Sequence, residues 1–174
     1  GHYDHLGDTY AIAERTGATI ITTMDLAKEC EKRGLQAHAM NVGCKHHFPF
    51  GHVRTTQALH HAGLVGGEAC GFIVRIDGFT LYFAGDTSLF GDFKLYGIIE
   101  RPDLLLVPIG GYYTMDIDDA VYAAKLVGAK TVIPFHYNTW PIIEADPADF
   151  AEKISKNTSG HCIILQPGDS CELP

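Results

Sequence analysis

Three of the first five residues have side chains that bind metals. His2, Asp4 and His5 stand in the order His-x-Asp-His, followed at once by Leu6-Gly7. Imidazole nitrogen and carboxylate oxygen suit borderline divalent ions, and a tight turn can aim such side chains at one point. Residues of the same chemistry recur far along the chain, each closing an apolar, strand-like run. His60 ends Gln57-Ala58-Leu59-His60, Asp86 ends Phe83-Ala84-Gly85-Asp86, and His136 ends Val132-Ile133-Pro134-Phe135-His136. One polar residue at a strand end is commonplace. The agreement of the opening triplet with three such ends points to one shared centre on a rigid sheet edge, and hence to a divalent-metal site.

The elements that must position these residues alternate, which reads as α/β layering. Leu6, Tyr10 and Ala13 share helical spacing over residues 6–16, with Gly17 as the stop. Thr19–Thr22 is a short β-branched run, and residues 24–33 form a second helix ending in Lys32-Arg33-Gly34. Residues 53–59 and 71–76 look extended. Asp77-Gly78 then separates Phe72–Ile76 from Phe79–Ala84, a two-residue hairpin signal. Leu104–Val107, Thr131–Ile133 and Cys162–Leu165 are continuous apolar runs suited to strands covered on both faces. Ala120, Ala123, Ala124 and Val127 share a helical face after Asp116 or Asp118 as cap. Asp146-Pro147 opens a last helix running to about Lys156. No repeat, low-complexity tract or linker interrupts the chain, so one domain over residues 1–174 is expected.

Composition narrows the function. In 174 residues, hydrophobic types make up 46% and charged types 20%, a globular balance. The formal charge of −8 and pI near 5.6 disfavour non-specific capture of nucleic acid or anionic membrane, though a nucleotide-sized substrate held by a metal stays open. A small-molecule substrate is the expected partner. No apolar run is long enough to span a bilayer, and the first residues do not have a signal peptide's pattern. The five cysteines contain no C-x-x-C pair, which argues against a disulfide framework or a cysteine zinc site and for a reducing, cytoplasmic setting.

Taken together, His2-x-Asp4-His5, His60, Gly85-Asp86-Thr87 and His136-Tyr137-Asn138-Thr139 resemble the metallo-β-lactamase superfamily. Within it, the chain is similar to a broadly distributed group of metal-dependent hydrolases. Ala58-Leu59-His60, Phe83–Thr87, Lys94-Leu95, Pro102-Asp103-Leu104 and Ile133–Thr139 are close to that group's usual wording. The resemblance covers essentially the whole chain and implies a four-layer αββα sandwich. It also implies two divalent ions: His2 and His60 on one, Asp4, His5 and His136 on the other, and Asp86 bridging. Zinc suits these donors best, with manganese or iron also compatible. Two such ions lower the pKa of a shared water, and the resulting metal-bound hydroxide would attack a small ester, lactone or phosphodiester. Asp4 and Asp86 are then the catalytic carboxylates, Asp4 orienting the water. No protein nucleophile is required, and no Ser-His-Asp or Cys-His signature is evident.

The group's opening motif reads His-x-His-x-Asp-His, whose first histidine would fall one residue before Gly1. The expectation is therefore a member without its N-terminal strands, its first metal position reduced to two histidines and the shared aspartate. Its uncovered apolar faces would associate with the missing segment or with another copy. A non-catalytic metal-binding remnant is the alternative. A redox diiron protein would require an extra carboxylate that His2-x-Asp4-His5 does not supply. His61, Thr87, Tyr113 and Asn138 are candidate substrate contacts, and the group carries an acidic-amide pair where Gly111-Tyr112 stand here.

The other polar clusters have simpler readings. His46, His47 and His52 lie in a turn-rich segment read as a solvated loop. His38 and His161 decorate the surface. Gly63–Glu68 is a glycine-rich rim without the Lys-Ser or Lys-Thr of a phosphate loop. Asp116-x-Asp118-Asp119 is a helix cap and not a calcium loop.

Overall fold

The computed structural model describes residues 1–63 and 67–172. The chain opens on a single helical turn, α1 (Tyr3–Leu6), followed by α2 (Thr9–Thr16), β1 (Ile20–Thr22), α3 (Met24–Lys32) and β2 (Ala37–Ala39). Strands β1 and β2 pair in parallel as a small sheet, with α3 as their crossover. Everything after them is organised by one seven-stranded sheet. Its strands are β3 (Lys45–Phe48), β4 (Gly51–Gln57), β5 (Cys70–Ile76), β6 (Phe79–Phe83), β7 (Leu104–Pro108), β8 (Thr131–Phe135) and β9 (His161–Cys162), ordered in space as in sequence.

The pairing changes hand in the middle. From β3 to β6 neighbours are antiparallel; from β6 to β9 they are parallel. Parallel neighbours need crossovers, and three helices supply them: α4 (Phe93–Glu100), α5 (Ile117–Val127) and α6 (Pro147–Asn157). They cover one face of the sheet. Ala120, Ala123, Ala124 and Val127 of α5, with Phe150 and Ile154 of α6, meet Leu105, Val107 and Val132 in a sealed core. The opposite face, carrying Phe72 and Phe83, looks across a cavity of about 250 Å³ toward Ile20–Thr23, Leu26 and Cys30. This is the expected αββα layering, with β1 and β2 as the second sheet.

The local signals are met in detail. Asp77 (φ 50°) and Gly78 (φ 89°) turn the β5–β6 hairpin in the left-handed region that such tight turns require. The Asp116 carboxylate accepts from the Asp119 N–H at the start of α5, and Asp146 accepts from Ala148 at the start of α6, with Pro147 in the first turn. Both are helix caps.

Four expectations need correction. Residues 45–52 are a β-hairpin and not a solvated loop: His47 pairs with His52, and the buried His52 ring meets the Glu100 carboxylate at 2.9 Å. His38 is half-buried against the rings of His46 and Phe48, so it is not surface decoration. The last apolar run pairs only over His161–Cys162. Helix α4 lies where no element is expected. The glycine-rich stretch 63–68 falls partly outside the described residues. Among the described residues, no helix is long and apolar enough to cross a membrane.

Candidate metal centre

Strands β6, β7 and β8 are parallel, so their carboxyl ends share one edge of the sheet. Strand β4 reaches the same edge, because two antiparallel steps return it to the direction of β6. Side chains that follow these ends therefore meet, as ligand-binding groups do at the carboxyl edge of open α/β sheets. His60 follows β4, Asp86 follows β6, Tyr113 follows β7 and His136 follows β8 directly. The opening turn α1 lies over the same edge. Leu6 N–H donates to the His2 carbonyl at 2.9 Å, closing the turn that holds Asp4 and His5 toward the sheet.

Asp86 is the focus. Its Oδ2 lies 3.1 Å from His5 Nε2, 3.3 Å from His136 Nε2 and 3.5 Å from His60 Nε2. Asp4 Oδ2 is 3.6 Å from His136 Nε2. One donor atom each from Asp4, His5, Asp86 and His136 falls within 4.8 Å of the others, the spread that a single ion can gather. On the other side His2 completes a ring cluster, edge-on to His60 at 5.2 Å and stacked on His61 at 5.8 Å. Five of the six residues singled out as ligands (His2, Asp4, His60, Asp86 and His136) thus line one basin, and His5 faces the adjoining cavity beside Asp86.

The surroundings fix how the donors point. His60 Nδ1 lies 3.0 Å from the Tyr113 carbonyl, an arrangement that turns Nε2 toward Asp86. Gly85 precedes Asp86 at φ +68°, and a Cβ there would meet the Cys70 carbonyl at 2.9 Å, so only glycine allows this approach. Burial opposes the charged Asp86 carboxylate. Hydrogen bonds from His136 and His5 outweigh that and hold it well below the usual carboxylate range. The same hydrogen bond to Asp86 pushes His136 up, against the effect of burial. Burial and the neighbouring His60 push His2 down, favouring a neutral ring with a free lone pair.

One further observation favours a metal. Asp86 Oδ1 is buried with no hydrogen-bond partner, and so is His136 Nδ1. An orphaned carboxylate oxygen amid imidazoles suits a bound cation, which would supply the missing partner. Thiolates take no part: all five cysteines are free, and burial pushes the Cys70 and Cys162 thiols up to about 11.

The candidate substrate contacts divide. His61 and the Tyr113 ring line a basin of about 570 Å³ over the donors. Thr87 does not: it is fully buried, its hydroxyl accepting from Leu59 N–H at 2.9 Å and donating to the Ser88 carbonyl at 2.8 Å. It ties the loop carrying His60 to the strand end carrying Asp86. Asn138 also turns away, its Oδ1 accepting from Ala145 N–H at 2.9 Å and pinning the loop after His136. The basin walls that sequence reasoning missed are Tyr3, Trp140 and Ile142. Trp140 is the chain's single tryptophan, and its position four residues after the candidate ligand His136 was the available signal.

A mixed sheet with imidazoles and carboxylates gathered at its carboxyl edge defines a metallo-hydrolase of the metallo-β-lactamase fold, and comparison with known proteins agrees. The beta-lactamase superfamily domain model matches residues 1–137. A UPF0173 metal-dependent hydrolase from Natranaerobius thermophilus is 45% identical over 172 residues, covering 99% of this chain and 78% of that protein. Another, from Pelotomaculum thermopropionicum, is 45% identical over 181 residues, with 99% and 79% covered. Among solved structures, Igni18, a metallo hydrolase from Ignicoccus hospitalis, superposes with a TM-score of 0.91 at 35% identity, covering 97% of this chain and 74% of that one. The chain belongs to the metallo-β-lactamase superfamily, in its UPF0173 metal-dependent hydrolase family, and is a metal-dependent hydrolase.

Proposed function

We propose that this hydrolase acts on a small ester, lactone or phosphodiester and holds two divalent ions around Asp86. The observation that carries the reading is the convergence of three imidazole Nε2 atoms on Asp86 Oδ2. Asp4, His5 and His136 would hold one ion, His2 and His60 the other, with Asp86 shared. The donor set of imidazole and carboxylate without thiolate suits zinc first and manganese or iron next. When bound, such ions supply an acidified water and polarise the electrophile, so the chain needs no nucleophile of its own. Asp4, at the open side of the cluster, would help hold the ion and orient that water. His136, which its bond to Asp86 pushes toward the charged form, would give up that extra proton to serve as a donor.

The test is stripping with a chelator, reloading with zinc, manganese or iron, and assay on 4-nitrophenyl acetate, a γ-lactone and bis(4-nitrophenyl) phosphate. Expected are about two equivalents of bound metal, turnover of at least one class, and loss of both in Asp86→Ala. Undiminished turnover by chelated Asp86→Ala would overturn the reading. Bound metal with no turnover of any class would replace it with that of a non-catalytic metal-binding protein.

A further inference from the structure

The basin above the metal donors has an unusual wall. Tyr3, Tyr113, Trp140 and Ile142 line it, and all four are large apolar residues with substantial exposure, from 37% at Trp140 to 78% at Tyr3. Tyr112 stacks edge-on against Tyr113 at 4.7 Å and is itself 74% exposed. Scattered exposed apolar residues are unremarkable, but a contiguous group around a polar centre marks a surface meant to be covered.

The wall is also held rigidly. Next to the exposed Ile142, Ile143 is fully buried; its N–H donates to the Trp140 carbonyl and its own carbonyl accepts from Asn138 N–H, each at 3.0 Å. Asn138 Oδ1 fixes the same loop at Ala145. Across the basin, the turn of Tyr112 and Tyr113 is closed by Gly111 N–H donating to the Met115 carbonyl at 2.9 Å, and Met115 is fully buried. These side chains stand in water on fixed backbone, which is the arrangement of a preformed binding wall.

Charge supplies the second half of the inference. Among the described residues lining the basin there is no lysine or arginine; apart from the imidazoles at the centre, the ionisable side chains are the carboxylates of Asp4 and Asp86, and none stands on the Tyr113 and Trp140–Ile142 wall. An anionic phosphodiester would find no basic side chain on this wall. We infer that the substrate is a carboxylic ester or lactone whose remote group is uncharged and aromatic, or similarly flat and apolar, seated between Tyr113 and the Trp140–Ile142 loop while its carbonyl faces the metal donors. This rests on the hydrolase reading and narrows it. Hydrolysis adds water across the acyl C–O bond, giving a carboxylic acid and an alcohol, with no other co-reactant.

Because Trp140 is the chain's only tryptophan, its fluorescence reports the wall without any turnover. In metal-stripped protein, neutral 4-nitrobenzyl alcohol should quench it saturably, and at least about tenfold more tightly than the anionic diester methyl 4-nitrobenzyl phosphate. Tyr113→Ala and Ile142→Ser should each weaken that binding by about threefold to tenfold. Tyr113→Phe, which keeps the ring, should restore it. In loaded enzyme, kcat/KM for methyl phenylacetate should exceed that for methyl acetate by at least about tenfold, a ratio that collapses in Tyr113→Ala. Non-saturable quenching, equal or tighter binding of the diester, or a ratio near one would overturn the inference. Saturable, ring-dependent quenching with no turnover of either ester would sink the proposed ester hydrolysis and support the basin's ligand class.

Discussion

The shared position of Asp86 can be tested through stability, without a substrate. Asp86→Asn keeps the size of the side chain but removes the one negative charge that three imidazole Nε2 atoms approach within 3.5 Å. Any ligand that binds only the native state stabilises it by RT ln(1 + [L]/Kd), about 2.7 kcal/mol at one hundred times Kd. For a chain of this size, each kcal/mol raises Tm by roughly 2–4 °C. Stripped wild-type protein should therefore gain roughly 5–11 °C when zinc is added at that excess. Asp86→Asn should gain almost nothing at the same zinc concentration, because the proposed metal positions would lose their common anion. The assay is a thermal melt with chelator or with zinc, repeated with manganese. The chelated melts also measure the cost of removing Asp86 from its charge-assisted bonds with His5 and His136, about 1–3 kcal/mol. An undiminished zinc-induced rise in Asp86→Asn would show that the ions bind elsewhere.

Glu100 is the main charge anchor away from the site. Its side chain is 2% exposed, and Lys45, Arg54 and His52 converge on it; burial opposes its charge, yet these partners bring its pKa down to about 2. Glu100→Gln should lose about 3 kcal/mol at pH 7 in denaturant unfolding. Because the folded pKa lies below the unfolded value, that stabilisation is complete above about pH 4.5 and disappears as pH falls toward about 2, so the gap between wild type and variant should close over that window. Thr87→Val is nearly isosteric but leaves Leu59 N–H unpaired, which should cost about 1–2 kcal/mol. Titration should also show zinc affinity about tenfold weaker as the His60 loop loosens. Gly110→Ala would place a Cβ 2.4 Å from the His136 carbonyl oxygen, whereas Gly91→Ala meets nothing within 4 Å. Melts should show a loss above about 2 kcal/mol at Gly110 and within about 0.5 kcal/mol at Gly91.

What could be read in advance follows from how local each signal is. The Asp77-Gly78 turn and the Asp116 and Asp146 caps depend on residues a few positions apart, and they form as their types dictate. The convergence of His60, Asp86 and His136 beyond the ends of β4, β6 and β8 was legible because apolar runs stop at residues with metal-binding side chains. Helix α4 was hidden because Glu100 belongs to its buried face with Phe93 and Tyr96, while Leu95, Ile98 and Ile99 are exposed. That inverts the usual pattern, and the reason lies in charges on β3 and β4 about fifty residues away. The same distant partner explains why residues 45–52 looked like a solvated loop. Thr87 and Asn138 show a different limit. Adjacency to a ligand places a side chain near the centre, but whether it turns outward or back onto its own loop depends on backbone direction, which residue type does not reveal.

That backbone direction is unusual around the centre. Among the described residues, five that are not glycine have positive φ, and three of them, Tyr112 (54°), His136 (56°) and Asn138 (59°), follow the ends of β7 and β8. A left-handed conformation costs a residue other than glycine roughly 1–2 kcal/mol, so neighbouring contacts must hold each one in place. Gly110 leaves no room beneath the His136 carbonyl, Asn138 is bound through its backbone to Ile143 and through its side chain to Ala145, and Tyr112 sits inside the turn closed by Gly111 and Met115. Without these kinks β8 would carry His136 straight on past the sheet edge, and Asp86 would lose one of its two closest imidazoles. Strain of this kind clusters where geometry must be set before a ligand arrives. Here it sets the candidate metal donors and the aromatic wall together, because one kinked loop carries both His136 and Trp140.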